Sequence, residues 1–136
     1  MSSSITPEEI ERLKSTYIDL IGFIPPRIQA RFRVSSQIDP EHLRLQEEMR
    51  THCMYPKCFD VKTSQLILFG MLLMNLSEAA RFHAIAARRA GASWEELHAV
   101  AAMAGLFRGL SAMNLASDLL DKMMQEEESK STGEER

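Results

Sequence analysis

The chain reads as an all-α protein of six or seven helices, and three observations carry that reading. No stretch alternates apolar and polar residues convincingly with period two, and no Asn-Gly or Asp-Gly pair offers a hairpin turn. Helix start signals recur instead, at Thr6-Pro7-Glu8-Glu9, Asp39-Pro40 and Ser93-Trp94-Glu95-Glu96. Behind the first and last of these, apolar residues return at helical spacing. With 136 residues the chain has the length of one domain and can bury a core without staples. A single domain is expected over 1–125. The remainder, 126–136, has no apolar anchor and reads as a disordered acidic and polar tail.

Taken in order, Thr6 caps the first helix, Pro7 suits its first position and Glu9 completes a capping box. Ile10, Leu13, Tyr17 and Leu20 form its apolar stripe, and Gly22 with Pro25-Pro26 ends it near Ile21. A second, basic helix is expected from Pro26 to Gln37, with Ile28, Phe32 and Val34 as its apolar residues. Asp39-Pro40 opens a third, running to about His52, and Pro56 breaks the chain after it. A fourth covers Lys62 to Met74. From Leu66 onward it is apolar on every side, which predicts burial on most faces. A fifth is expected from about Asn75 to Ala90, stopped by Gly91 in a left-handed cap. Ser93 opens the sixth, with Leu97, Val100, Ala101 and Ala104 facing the core. Arg108-Gly109-Leu110-Ser111 interrupts the chain, and a last helix runs to about Gln125.

Composition narrows the function classes. A net charge of −3 argues against general nucleic-acid binding. The longest apolar run, Leu66 to Met74, is too short to span a bilayer. The first residues, Met1-Ser-Ser-Ser-Ile-Thr-Pro, lack the basic and apolar regions of a signal peptide. A cytoplasmic protein without membrane partners is therefore expected, in which a structural disulfide is unfavoured. Nine methionines are many for this length. They read either as adaptable core filler or as a soft apolar pocket for a small ligand.

His83 is the first candidate for chemistry. On a helical wheel it shares a face with Leu76, Ala79, Ala80, Ala87 and Ala90. Small residues there allow close helix approach or leave room for a ligand. An imidazole in that place either exchanges a proton with a substrate or only hydrogen-bonds a neighbouring helix. Met74, Ala79 and Ala80 are candidate pocket residues beside it. Arg31, Arg33 and Arg108 are candidates to hold a carboxylate, because guanidinium grips that group bidentately. Arg27 and Arg31 share a face without a local acid, and this also fits a plain solvated surface. His52, His83 and His98 lack ligand spacing, so no metal and no cofactor is expected. His98 reads as solvated.

The run HAIAARRAGASWEELHAVAAMAGLFRGLSAMNLA resembles the carboxymuconolactone decarboxylase family, which includes the alkylhydroperoxidase D-like proteins. The shared features are His83 with Gly91 eight residues on, the turn and acidic helix start Ala92-Ser93-Trp94-Glu95-Glu96-Leu97, and the tract Gly109 to Ala116. Upstream, Asp60-Val-Lys-Thr-Ser-Gln-Leu-Ile67 is similar to the family's helix entry. The resemblance implies an alkylhydroperoxidase D-like helical bundle that assembles as a trimer or hexamer. In the peroxidase branch a CxxC pair precedes the histidine, at the positions of Leu76 and Ala79 here. That branch also has a relay glutamate on the preceding helix, where this chain has Ser64 and Gln65. The usual peroxidase mechanism, which needs an activated thiolate and a resolving partner, is thus rejected for this chain.

Three functions compete. The first is a cofactor-independent decarboxylase or isomerase acting on a small carboxylated lactone or keto acid, an organic-acid substrate, with His83 as general acid and base. The second is a displaced thiol site at Cys53 and Cys58, which flank Pro56 beside His52, in a C-x4-C spacing that is no redox motif by itself. The third is a non-catalytic, oligomeric ligand-binding protein.

Overall fold

The computed structural model describes residues 4–134 and contains seven helices among them. They are α1 (Pro7–Ile21), α2 (Pro26–Ile38), α3 (Pro40–Met54), α4 (Val61–Met74), α5 (Ala80–Arg89), α6 (Trp94–Arg108) and α7 (Leu110–Glu134). No strand occurs among the described residues. The all-α expectation holds, and the start signals explain why. The Thr6 hydroxyl accepts from the Glu9 N–H at 3.1 Å, and the Asp39 carboxylate accepts from the His42 N–H at 3.0 Å. Ser93 and Glu96 close a full capping box, each side chain accepting from the other's N–H at 3.1 Å. The expected box at Thr6 is only half made. The Glu9 carboxylate turns instead to Arg44, whose Nε lies 2.6 Å away.

Contacts gather the chain into two compact units, Met1–Asp60 and Val61–Arg136. In the first, Leu13, Tyr17, Phe32 and Leu43 form the core, with Ile5, Ile10, Ile24 and Ile28 packed against it. One carboxylate, that of Glu47, is fully buried there. Burying a charge is costly unless it is paired. Arg31 Nη2 donates to Glu47 Oε1 at 2.6 Å, and the Tyr17 hydroxyl donates to the same oxygen at 2.9 Å. Arg50 lies 3.6 Å from the other carboxylate oxygen and stacks on the Tyr17 ring.

The second unit packs Phe69, Leu73, Leu97, Leu119 and Met123 with a set of alanines, among them Ala80, Ala84, Ala87 and Ala101. Their small side chains bring helices close. A Cβ added to Gly70 would lie 3.0 Å from Val100 Cγ1, so α4 and α6 approach closely there and an alanine would need the valine side chain to shift. α4 packs chiefly on α5 and α6. Its outer face, however, leaves Ile67, Met71 and Met74 exposed, against the expectation of burial on most faces. The methionines divide likewise. Met123 is buried, whereas Met71, Met74, Met103 and Met124 are exposed.

Two boundaries differ from the sequence reading. α5 begins at Ala80 rather than near Asn75, because α4 ends in a tight reversal. Leu76 takes φ +52°, and the Ser77 N–H returns to the Leu72 carbonyl at 3.0 Å. At the other end α7 continues to Glu134, through most of the segment expected to be a disordered tail. Arg81 and Arg88 on α5 pair with Glu126 and Glu127 at 3.0 and 2.7 Å, tying the start of that extension down. Glu135 and Arg136, and Met1 to Ser3 at the other terminus, lie outside the described residues.

Candidate functional site

α4 begins with a polar stretch, Lys62-Thr63-Ser64-Gln65, before its apolar run, and the Ser64 and Gln65 side chains are buried. A buried amide needs a partner. Gln65 finds it on α5: its Oε1 lies 2.8 Å from His83 Nδ1. An amide oxygen only accepts, so Nδ1 carries the hydrogen of this bond. His83 itself is half-buried. Its imidazole is thus oriented by the bond that Nδ1 makes. Both the catalytic and the helix-packing readings of His83 contain such a bond, since its partner comes from a neighbouring helix. The partner is a side-chain amide rather than a main-chain carbonyl. Gln65 Nε2 and Ser64 Oγ have no hydrogen-bond partner.

Around this pair the other expected residues separate. Ala80 is fully buried in the core against its helix neighbours, so it is packing rather than an open pocket wall. Ala79 stands at the start of α5, where its N–H donates to Ser77 Oγ at 3.2 Å. Met74, at the end of α4, lines a groove of about 450 Å³ with Ile67, Gly70, Met103 and Phe107. That groove does not include His83. Arg108 is exposed at the end of α6, and its Nε donates to the Met74 carbonyl at 3.2 Å.

Arg31 and Arg33 belong to the first unit. Arg31 is committed there to Glu47, Gln46 and the Tyr17 hydroxyl, at 2.6, 2.9 and 2.8 Å. The carboxylate it holds is therefore the chain's own, which corrects the expectation of a substrate clamp. Arg33 is exposed on α2. Cys53 sits in the last turn of α3 and Cys58 in the turn after it, both free and exposed. Burial pushes the Tyr17 phenol up to about 12, with Glu47 adding to the rise and Arg50 and Arg31 opposing it. The Ser93 N–H, with the Lys62 ammonium, holds the Glu96 carboxyl below the usual range. Among the described residues no group of three or more His, Cys, Asp or Glu side chains is placed to hold a metal ion. No helix among them is long and apolar enough to cross a membrane.

Sequence reasoning passed over Gln65 as a residue unable to relay a proton. No local pattern marks its role, because Gln65 closes the polar stretch Lys62-Thr63-Ser64-Gln65 at the head of α4, which reads as an ordinary helix start.

Fold and site together describe an all-α bundle protein in which the histidine of α5 is backed by an amide, without a thiol pair on the preceding turn. The family model for the carboxymuconolactone decarboxylase family matches residues 40–122, and the chain belongs to that family. Neither the curated proteins nor the solved structures contain a significant match to it.

Proposed function

We propose that the chain is a cofactor-independent enzyme of the decarboxylase or isomerase type, acting on a small carboxylated lactone or keto acid. The observation that carries this reading is the 2.8 Å bond between His83 Nδ1 and Gln65 Oε1. It fixes the imidazole ring in place, and this reading makes that imidazole the base that takes a proton from carbon and the resulting imidazolium the acid that returns it. In a decarboxylation the carbon–carbon bond to the carboxylate breaks and its electron pair enters an enolate. Carbon dioxide leaves as that bond breaks, and the enolate is quenched at carbon by a proton that His83 has first taken from solvent. In an isomerisation the same imidazole removes a proton at one carbon and delivers it at another. Membership of the decarboxylase family supports the class of reaction.

Arg108 stands in the same unit as His83 and is the arginine this reading assigns to the substrate's carboxylate. Self-association as a trimer or hexamer belongs to the same reading. The exposed Met71, Met103, Leu106, Phe107 and Leu110 supply apolar surface for it.

The test is turnover on a panel of γ-lactone carboxylates and β-keto acids, followed by carbon dioxide release. Wild-type protein turns over at least one of them, and His83→Ala loses about a hundredfold or more. Equal rates for wild type and His83→Ala on such a substrate would remove His83 from the mechanism.

A further inference from the structure

A second concavity lies between α6 and α7, away from the Gln65–His83 pair. It has a volume of about 470 Å³, within the range of small-molecule pockets. Trp94, Leu120 and Met124 supply apolar wall, and Glu95, His98 and Asp121 supply its polar groups. No lysine or arginine lines it. Two cations nearby in sequence are already engaged. Arg88 binds Glu127 and the Ala92 carbonyl, and Lys122 binds Asp118. Arg88 also stacks on the Trp94 ring, 4.0 Å from its centroid, and so stiffens the aromatic wall. The result is an open apolar groove with two exposed carboxylates at its rim and an indole beside them.

We propose that this groove binds an organic ammonium ion carrying an aromatic or alkyl body. The charge complementarity is specific. Glu95 and Asp121 attract the ammonium. Leu120 and Met124 receive the apolar part. An organic anion, the ligand class assigned to His83, is repelled from the same place. The inference is therefore independent of the reaction proposed above, and either stands if the other fails.

Trp94 is the chain's only tryptophan, so its emission reports directly on the groove. The probes are phenylbutylamine, the matched alcohol phenylbutanol and the matched acid phenylbutyrate, titrated into the intact chain. The amine shifts Trp94 emission and binds about tenfold tighter than the alcohol, as two exposed charge contacts add up to. Phenylbutyrate binds more weakly than the alcohol. The double variant Glu95→Gln with Asp121→Asn brings the amine to the alcohol's affinity and leaves the alcohol's unchanged. Both positions are exposed, and circular dichroism checks that the fold is kept. Added salt weakens only the amine. The proposal is overturned if amine and alcohol bind alike, if the acid binds best, or if the double variant keeps the amine's advantage. It is also overturned if Trp94 emission shifts with protein concentration alone and the amine has no effect, since a second copy then covers the groove.

Discussion

Replacing Gln65 separates what it does for stability from what it does for His83. In Gln65→Leu the bond to His83 disappears, a loss of about 1 kcal/mol, and the unpartnered buried Nε2 disappears with it, a gain of about 1–3 kcal/mol. The two effects oppose each other, so the variant is as stable as wild type or up to about 2 kcal/mol more stable. The imidazole, by contrast, loses the acceptor that sets its tautomer. In Gln65→Glu the acceptor becomes charged. A charge-assisted bond is worth about 1.5–3 kcal/mol against about 1 kcal/mol for the neutral one, so the imidazolium gains about 1 kcal/mol. That is a little under a tenfold change in its protonation equilibrium, moving the His83 midpoint upward. The assay is nitrogen-15 NMR of the four histidine side chains across a pH titration, with His83 assigned by its loss in His83→Ala. Wild type shows Nδ1 protonated and Nε2 bare in the neutral form. Gln65→Glu titrates at higher pH, and Gln65→Leu shows a mixture of tautomers. A wild-type His83 protonated on Nε2 and bare on Nδ1, or a titration unmoved by Gln65→Glu, would refute the reasoning.

Two further outcomes follow from the backbone and the buried phenol. Burial raises Tyr17 from the ordinary 10.0 to about 12, so its contribution to stability is complete below pH 10.0 and is lost as pH rises through 12. Two units correspond to about 3 kcal/mol, so urea unfolding of wild type weakens by that much more than Tyr17→Phe over this window; parallel pH curves would contradict it. Gly91 has φ +101° with nothing within 4 Å of an added Cβ, so Gly91→Ala meets backbone strain and no clash. It lowers stability by about 1–2 kcal/mol in thermal or urea unfolding, and an unchanged midpoint would mean that the cap does not require a left-handed residue.

Most of the helix order was legible because capping is local. Thr6, Asp39 and Ser93 act on N–H groups three residues ahead, and Gly91 acts on the turn it ends. What stayed hidden depends on contacts far along the chain. Nothing near Leu76 announces that it will take a left-handed conformation, since that is glycine's habit, and so α5 seemed a turn and a half too long. Glu126 and Glu127 look like the start of a solvated tail until Arg81 and Arg88 are found beside them. Arg31 looked available because its partner, Glu47, sits on another helix in a stretch with no sign of a buried charge. The candidate site divides in the same way. His83 stood out by residue type and by the family pattern around it. Gln65, lying 18 residues upstream, had no pattern to mark it and was recovered from geometry.

The amide behind His83 has a consequence for proton traffic. A carboxylate in that place could store a proton of its own, giving the pair two occupancies. A glutamine cannot, so the pair is a one-proton reservoir. Whatever proton His83 accepts has to be handed on before it can accept another, and Gln65 offers no inner exit. A proton lifted from a bound molecule either goes back to that molecule or escapes to solvent, and the ratio between those fates would be written into the product as retained or washed-out isotope label.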